Sequence, residues 1–488
     1  MSQDNLQQKA FSGMIWGFLE KFSLQLFGFI QGVILARLLM PSDFGLIAMA
    51  GVFSAISAAL IDSGFSTALI RKQHKNELDY STVFVINVVM SCFMALILVL
   101  CSSLIADFYH EPMLTAIVCL NALQIVLGSL TAVQGTRLMC NMQFKKISII
   151  RVTSAVISGT IAIVMAFMGF GVWSLIYPSI FCVPLMIMLY WHFQHWFPGF
   201  KFSKESFHDL FAFGSKMLAS TLLATIYNNI YPMVIGKKYS SADLGYYSKS
   251  QSYASLPAMT ITEVLGCVLY PVLSELQDDD ERLLSAYRRV LRLSAYLIFP
   301  IMIGVAALAR PLIITMITIK WEQTIIYLQI LCLALMWYPI HALNLNLLKV
   351  KGRSDLFLRL EIIKKIIGVA ILFLTLPFGV FVMCIGSVFS SIFSLFVNTY
   401  YTGKILNLGF LKQMRDLLPS IFYSFSMGVI VWLSCLLFSN MILQLIIGIV
   451  VGVFYYYFIS VLTHSQDFAY FKEIVNNNII SRFSHDSI

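Results

Sequence analysis

The sequence Ile34-Leu35-Ala36-Arg37-Leu38-Leu39-Met40-Pro41-Ser42-Asp43-Phe44-Gly45 occurs a second time, 200 residues later, as Val234-Ile235-Gly236-Lys237-Lys238-Tyr239-Ser240-Ser241-Ala242-Asp243-Leu244-Gly245. Both copies read apolar, apolar, small, basic, five residues, Asp, apolar, Gly. A second match, at an offset of 208, pairs Arg151 and Phe170-Gly171-Val172 with Arg359 and Phe378-Gly379-Val380. Repetition at a nearly constant offset predicts a duplicated structural unit.

The composition around these copies is that of a membrane protein. Of 488 residues, 59% are hydrophobic and 12% are charged, which is too few polar residues to cover a soluble protein of this size. Because a membrane span needs about 20 mostly apolar residues, the sequence predicts an all-α polytopic membrane protein with fourteen spans. These are 11–38, 44–70, 80–105, 114–136, 147–169, 171–193, 210–236, 243–273, 290–309, 323–348, 355–376, 379–402, 416–438 and 440–462.

The distribution of Lys and Arg predicts the orientation of the spans. With a cytoplasmic N-terminus, 23 basic residues fall on the cytoplasmic side and five on the outer side. Such an excess follows the positive-inside rule for short loops. We therefore expect both termini in the cytoplasm, and we attribute the net charge of +9 to topology rather than to nucleic-acid binding.

The repeat predicts how the spans are organised. Residues 1–193 form an N-lobe of spans 1–6, and residues 210–403 form a C-lobe of spans 7–12. Residues 194–209 are expected to lie along the cytoplasmic interface, and residues 404–488 hold two further spans and a cytoplasmic tail. Because six spans is an even number, both lobes enter the membrane in the same sense, with the working site expected between them.

The duplicated block also makes local predictions. Asp43 and Asp243 each open a span and can cap a helix N-terminus. Gly45 and Gly245 permit close helix packing. The matched basic residues Arg37 and Lys237 either reach out to the membrane interface or face a cavity.

Ionisable residues within spans are candidate functional residues, because they need a partner or water there. Bases outnumber acids seven to four, which favours an anionic ligand such as a phosphate or pyrophosphate. Polar helix packing and local ion pairs are the alternative explanations. The bases are Lys21, Arg37, Lys216, Lys237, Lys249, Lys364 and Lys365, and the acids are Glu20, Asp62, Glu263 and Glu361.

Several functional classes find no support in the sequence. The nine cysteines are scattered singly, without metal-binding spacing, and there is no phosphate-binding GxxxxGK[ST] loop, HExxH or nucleophile elbow. We therefore expect a transporter rather than an enzyme, with no cofactor and no metal. A glycan polymerase would need a sizeable external loop, and the outer loops are all short.

Taken together, the span pattern, the Arg37 to Gly45 block and the stretch Asp62-Ser63-Gly64-Phe65-Ser66-Thr67-Ala68-Leu69-Ile70 resemble the Wzx-type polysaccharide exporters of the MOP superfamily. The resemblance covers approximately residues 10–460. It implies a flippase of the bacterial inner membrane that moves undecaprenyl-pyrophosphate-linked oligosaccharide repeat units by alternating access of two lobes. Its implied protein partners are a glycan polymerase and a chain-length regulator.

The resemblance places Arg37 in a cavity where it meets the pyrophosphate, and the internal repeat extends this role to Lys237. Polarity within the spans adds Lys216, Lys249, Lys21, Gln25 and Asn228 as substrate-binding candidates, and Asp62, Glu263 and Glu20 as ion-coupling candidates. Multidrug exporters share the fold. They need carboxylates for their cationic substrates, so Asp62 and Glu263 leave that alternative open.

Overall fold

A computed structural model describes residues 3–62, 64–194, 196–199 and 201–476, and this part of the chain is built from helices. The first half of the chain forms nine of them. They are α1 (Gln3–Leu38), α2 (Pro41–Asp62), α3 (Phe65–Arg71), α4 (Glu77–Leu100), α5 (Ser102–Tyr109), α6 (Met113–Cys140), α7 (Phe144–Phe167), α8 (Trp173–Gln194) and α9 (Lys204–Lys238).

The second half continues with ten α-helices and two short 3₁₀ turns, Ile319–Trp321 and Leu376–Phe378. The α-helices are α10 (Ser241–Glu275), α11 (Asp280–Ala307), α12 (Ala309–Ile317), α13 (Glu322–Leu335), α14 (Tyr338–Val350), α15 (Ser354–Thr375), α16 (Val380–Leu406), α17 (Phe410–Leu436), α18 (Met441–Leu462) and α19 (Gln466–Val475). Residues 477–488 of the expected tail lie outside the described residues.

Every predicted span falls on one helix or on two consecutive helices, but the number of spans is only partly supported. Within the described residues, 11 helical segments are long and apolar enough to cross a membrane, and α9, which is bent by 47°, makes a twelfth. The helices α10 and α15 are long enough, but each carries several charged side chains. The protein is therefore a multi-pass membrane protein, and the count of fourteen spans stays a prediction.

The chain divides into two compact units, Met1–Gly245 and Tyr246–Ile488. In the first, α4 packs on α6, α1 and α8 pack on α7, and α9 packs on α2 to α5. In the second, α17 packs on α11 and α18, and α16 packs on α13 to α15. The boundary between the units lies inside α10, whereas the sequence starts the C-lobe at 210, so the division into lobes remains a prediction.

The first unit contains a helix break within the predicted span over 44–70, which lies in the candidate span Pro41–Arg71. Gly64 adopts a left-handed φ of 70° between α2 and α3. A Cβ on this glycine would lie 2.8 Å from the carbonyl oxygen of Gly214, so the two backbones are in direct contact. Gly214 follows the bend in α9 between Phe211 and Phe213. The break between α2 and α3 and the bend in α9 are thus in contact through Gly64 and Gly214.

The segment before α9 is fixed to the first unit by Trp196. Its indole Nε1 donates to a carboxylate oxygen of Glu77 at 2.6 Å, and the Arg137 guanidinium also binds Glu77, at 2.7 Å. Arg137 lies over the rings of both Trp196 and Tyr80. Trp196 is itself buried in an apolar cluster that includes Phe65. This interleaving of aromatic and charged groups anchors the connection between α8 and α9.

In the second unit, α19 lies against α11. Asp467 forms an ion pair with Arg292 at 3.3 Å, and Arg289 lies over the ring of Tyr470. Burial raises the pKa of the Asp467 carboxyl above its usual value; the nearby Asp416 adds to this, while Arg292 opposes it. The contact between α19 and α11 therefore includes the partly buried carboxyl group of Asp467.

Candidate functional site

The two copies of the duplicated block form the same helix–turn–helix structure. The predicted N-terminal caps are confirmed: Asp43 accepts from the backbone N–H of Met40 at 2.9 Å, and Asp243 accepts from that of Ser240 at 3.2 Å. In turn, the hydroxyl oxygen of Ser240 accepts a hydrogen bond from the backbone N–H of Asp243. In each copy two residues separate the helices. The carboxylates thus satisfy orphan donors at the starts of α2 and α10.

The prediction that the two glycines allow close packing is also confirmed. A Cβ on Gly45 would lie 1.7 Å from the carbonyl oxygen of Ser241, and a Cβ on Gly245 would lie 1.9 Å from that of Pro41. Neither position accepts any side chain without a backbone shift. The start of α2 and the start of α10 therefore touch each other reciprocally.

The matched bases Arg37 and Lys237 lie in the last turns of α1 and α9, directly before these turns, and both are exposed. The Lys237 ammonium donates to the carbonyl oxygen of Phe108 at 2.5 Å and lies 4.6 Å from the centre of that ring. Its Nζ is 3.4 Å from Nε2 of His110. Lys237 therefore also stabilises the C-terminus of α5 in this conformation.

The remaining substrate-binding candidates of the first unit lie on α1 and α9, and all are exposed. Lys21 and Gln25 lie on α1, one helical turn apart. Lys216 and Asn228 lie on α9, after its bend. Exposed polar side chains on helices of this kind face either lipid headgroups, a water-filled cavity or a partner.

Lys249, on α10, occupies a different environment. It is partly buried, with its Nζ about equally far from the rings of Tyr253, at 5.9 Å, and Trp321, at 6.0 Å. An ammonium between two aromatic faces gains cation–π stabilisation.

The three ion-coupling candidates differ in their surroundings. Asp62 is exposed at the end of α2, beside the helix break, and accepts from the hydroxyl of Ser66 at 2.6 Å. Glu263 is exposed on α10. Glu20 is instead held by α7, through the Arg151 guanidinium at 2.9 Å and the Ser148 hydroxyl at 3.1 Å. Glu20 therefore has a defined ionic partner in Arg151.

Two polar side chains of the second unit have local partners. On α15, Lys364 forms an ion pair with Glu361 at 2.5 Å. The ring nitrogens of His341 lie within hydrogen-bond distance of the hydroxyl of Ser391 and the amide of Asn398.

Sequence reasoning missed an apolar cavity of about 660 Å³ in the second unit. Helices α11, α12, α17, α18 and α19 line it. Among the lining residues, Gly448 and Gly452 of α18 pack closely against Leu308 and Val431. The spacing of these two glycines, four residues apart, is the sequence signal for close packing of that helix. The Ser63-Gly64 pair gives the corresponding signal for the helix break.

Comparison with known families identifies the chain. The family model described as polysaccharide biosynthesis protein matches residues 34–326, which include both copies of the duplicated block. The chain belongs to the polysaccharide biosynthesis protein family. It is similar to the lipopolysaccharide biosynthesis protein WzxC of Escherichia coli K12, with 24% identity over 74% of each chain. It is also similar to the succinoglycan biosynthesis transport protein ExoT of Rhizobium meliloti, with 27% identity over 63% of this chain and 62% of that one.

Membership of this family confirms the predicted resemblance to polysaccharide exporters and supports a transporter rather than an enzyme. Solved structures confirm the fold class. The lipid II flippase MurJ in an inward closed conformation aligns with a TM-score of 0.72 at 16% identity, covering 92% of this chain and 99% of that one. An inward-facing multidrug resistance MATE transporter of the MOP superfamily aligns with a TM-score of 0.61 at 13% identity, covering 79% and 96%. At such identities the likeness concerns the fold alone.

Proposed function

We propose that this protein is a flippase that translocates undecaprenyl-pyrophosphate-linked oligosaccharide repeat units across the bacterial inner membrane by alternating access. Its product would serve the synthesis of O-antigen, capsule or exopolysaccharide. The observation that carries the proposal is the family match over residues 34–326 in a chain whose described residues hold 11 to 12 candidate spans. The names of WzxC and ExoT, which refer to lipopolysaccharide biosynthesis and to succinoglycan biosynthesis transport, support it.

The proposed substrate carries its negative charge in the diphosphate, which basic side chains bind through charge-assisted hydrogen bonds. Arg37 is the leading candidate because its guanidinium can bind two phosphate oxygens at once. The amides of Gln25 and Asn228 add neutral donors. The other bases of the proposed binding set are Lys237, Lys216, Lys249 and Lys21.

The lipid part of the substrate needs an apolar environment. The cavity in the second unit is lined by side chains such as Leu308, Val431 and Phe468, which suit a prenyl chain better than a sugar. This supports a substrate with a polar head and an apolar tail over a free oligosaccharide.

The proposed topology has fourteen spans and two cytoplasmic termini, with lobes over 1–193 and 210–403 and two additional spans within 404–488. It counts α10 and α15 as spans despite their charges. Charged helices are tolerated at membrane depth where they line a water-filled cavity. The strong bias of Lys and Arg toward one side supports the orientation.

Energy for directional transport is proposed to come from a proton or cation bound at Asp62 or Glu263, which are exposed. Glu20 would take part by exchanging Arg151 for the coupling ion. The protein is also proposed to work alongside a glycan polymerase and a chain-length regulator, which use the translocated repeat units.

Deletion of the gene tests the function. We expect a complete, unpolymerised prenyl-pyrophosphate oligosaccharide to accumulate in lipid extracts, measured by mass spectrometry, while surface glycan falls. Glycosidase protection in sealed vesicles of known orientation should place that lipid on the cytoplasmic face, which excludes a polymerase defect. Unchanged pools of both molecules, together with new sensitivity to cationic dyes, would contradict the proposal and support a drug exporter.

A further inference from the structure

The apolar cavity of the second unit extends along α18 toward α19. Its lining includes Leu445 near the start of α18 and Tyr457 near the end of that helix. The α-helical rise between these two residues is about 18 Å. One leaflet of the hydrocarbon core is roughly 15 Å deep, which is half the thickness of the core. The cavity is therefore long enough for a lipid acyl chain that spans one leaflet.

The cavity is open along one side. Ile301 of α11 and Ile449 and Val453 of α18 line it, and all three are also exposed at the surface of the protein. Met427 and Val431 of α17 form its inner wall and are buried. A lipid chain can therefore enter sideways, between α11 and α18, while the helices stay in place.

Helix α19 closes one end of the cavity. Phe468 and Phe471 belong to the lining, and the ring centre of Phe468 lies 5.5 Å from that of Tyr457. With the proposed topology, this end faces the cytoplasm. Tyrosine is enriched where the hydrocarbon core meets the headgroups, and amphipathic helices lie at the same depth. We therefore expect the headgroup of an inner-leaflet lipid at the level of α19.

Three arginines lie in the part of α11 next to α19, and two of them are paired with carboxylates. Arg288 donates two hydrogen bonds to Asp416, and Arg292 forms an ion pair with Asp467 at 3.3 Å. Arg289 is exposed and forms no ion pair with the described residues of the chain. Its charge is therefore available to a ligand.

Arg289 and Lys472 flank this end of the cavity from two helices. The Arg289 guanidinium lies 4.9 Å from the centre of the Tyr470 ring of α19. Arg289 also precedes Pro300, a lining residue, by about three helical turns, so it lies on the cavity side of α11. Lys472 is exposed and lies one turn after Phe468, on the same side of α19. Like Arg289, it forms no ion pair within the described part of the chain.

We propose that the cavity binds an anionic phospholipid of the inner leaflet, with an acyl chain between α11 and α18 and its phosphodiester bound by Arg289 and Lys472. Two available positive charges at headgroup depth favour an anionic lipid over a zwitterionic one. The bound phosphodiester joins α11 to α19, so it also stabilises the docking of α19. The proposal rests on the proposed topology and concerns the protein without its substrate, whose prenyl chain would have to displace this lipid from the cavity.

Lipid binding to the purified protein tests the site. Native mass spectrometry from detergent, with added phosphatidylglycerol or phosphatidylethanolamine, gives the affinity for each lipid. Phosphatidylglycerol should bind more tightly. Arg289→Gln and Lys472→Gln should each weaken its binding about fivefold, because one base near an anionic lipid contributes a factor of that size. Equal affinity for the two lipids would overturn the proposal.

Lys404→Gln is the matched control for the charge. Lys404 is an exposed base that lies 4.7 Å from the centre of the Tyr400 ring, on α16, outside the helices that line the cavity. Its replacement changes the net charge by the same amount as Arg289→Gln and should leave the affinity for phosphatidylglycerol unchanged. Equal weakening in both variants would reduce the effect to the overall charge and overturn the site.

A pair of tryptophan variants tests the apolar part of the site. Val453→Trp adds bulk at a position in the lining, whereas Val450→Trp adds it at an exposed position of the same helix outside the lining. Only Val453→Trp should reduce the retention of phosphatidylglycerol, by several-fold. Equal retention in both variants would place the acyl chain elsewhere and overturn the proposal. Retention of added undecaprenyl phosphate without retention of phosphatidylglycerol would also overturn it, and would assign the cavity to the tail of the substrate.

Hydrogen exchange of residues 466–475 tests the link between the headgroup and α19. In bilayers of phosphatidylethanolamine, addition of phosphatidylglycerol should slow this exchange several-fold. The difference between the two bilayers should disappear in Arg289→Gln and remain in Lys404→Gln. The same exchange rate in both bilayers for the unmodified protein would contradict a headgroup bound between α11 and α19.

Discussion

The guanidinium of Arg151 lies 2.9 Å from the carboxylate of Glu20 and joins α7 to α1. Their side chains are 45% and 11% exposed, so the carboxylate is the more buried partner. The Ser148 hydroxyl lies 3.1 Å from both a Glu20 carboxylate oxygen and the backbone carbonyl oxygen of Trp16, and it can donate its single proton to either. The first helix is thereby fixed to its neighbour through an ionic contact across 131 residues of sequence.

Removing one partner of this ion pair should lower the stability of the protein more than removing both. Arg151→Ala leaves the Glu20 carboxylate buried and short of a donor, which costs about 1–3 kcal/mol. The double variant Glu20→Ala/Arg151→Ala should be more stable than the sum of the single changes implies. Thermal unfolding of the purified protein in detergent measures this cycle, and strictly additive effects would contradict a direct coupling.

Arg37 and Lys237 should matter for export. Arg37→Ala and Lys237→Ala should each reduce surface glycan, by about tenfold if each removes one charge-assisted hydrogen bond to the headgroup. Arg310→Ala is the matched control, because Arg310 is 58% exposed and its ion pair with the exposed Glu322 is long, at 3.5 Å.

Lys237 also donates a hydrogen bond to α5, so the alanine variant removes both a charge and a structural contact. Lys237→Arg is the second variant that separates these two effects. Arginine keeps a donor for the Phe108 carbonyl, and its retention of export would show that charge matters at this position. Equal surface glycan in Arg37→Ala, Lys237→Ala and Arg310→Ala, at equal protein levels, would remove both residues from the binding set.

Trp196 should stabilise the connection between α8 and α9. Trp196→Phe keeps most of the apolar contact but loses the hydrogen bond to Glu77, at a cost of about 2 kcal/mol. Trp196→Ala also leaves a cavity, and should cost about 3–5 kcal/mol. Trypsin cleavage after Lys201 and Lys204 measures the release of the segment. Phe197→Ala is the control, since Phe197 is 73% exposed and should leave cleavage unchanged.

The docking of α19 should strengthen as the pH falls. Burial raises the pKa of Asp467 above 3.8, so the docked helix binds a proton more tightly than the undocked one. Protonation of Asp467 stabilises the docked helix fully at a pH below the ordinary pKa of the carboxyl, and this stabilisation is lost as the pH rises through the raised pKa of the docked state. Hydrogen exchange of residues 466–475, corrected for the intrinsic effect of pH, should therefore slow toward acid pH. Asp467→Asn should abolish the dependence, and faster exchange at low pH would contradict it.

Local and compositional features could be predicted from the sequence. Each stretch of about 20 apolar residues became a helix, because backbone groups in lipid must be satisfied within the segment. The caps at Asp43 and Asp243 and the close approach at Gly45 were also predictable, since they depend on neighbouring residues and on the repeat.

Features that depend on packing could not be predicted in the same way. The pairing of Glu20 with Arg151 requires α1 to lie on α7, which no local pattern specifies. The break at Gly64 is stabilised by Gly214, which lies in another helix. The environment of Lys249 depends on Trp321. For the predicted site residues, the sequence identified the residue types and the helices that carry them, but it did not identify the side chains they contact.

The reciprocal contact of Gly45 with Ser241 and of Gly245 with Pro41 resembles an isologous interface, in which the same patch occurs on both sides. In a symmetric homodimer, one mutation changes both sides of such an interface together. Here both sides are encoded separately on one polypeptide, so they can vary independently. Arg37 and Lys237, like Ser42 and Ala242, already differ between the copies, while the glycine is present in both. Two copies on one polypeptide thus allow the flanks of a symmetric contact to differ while the glycine at its centre is the same in both.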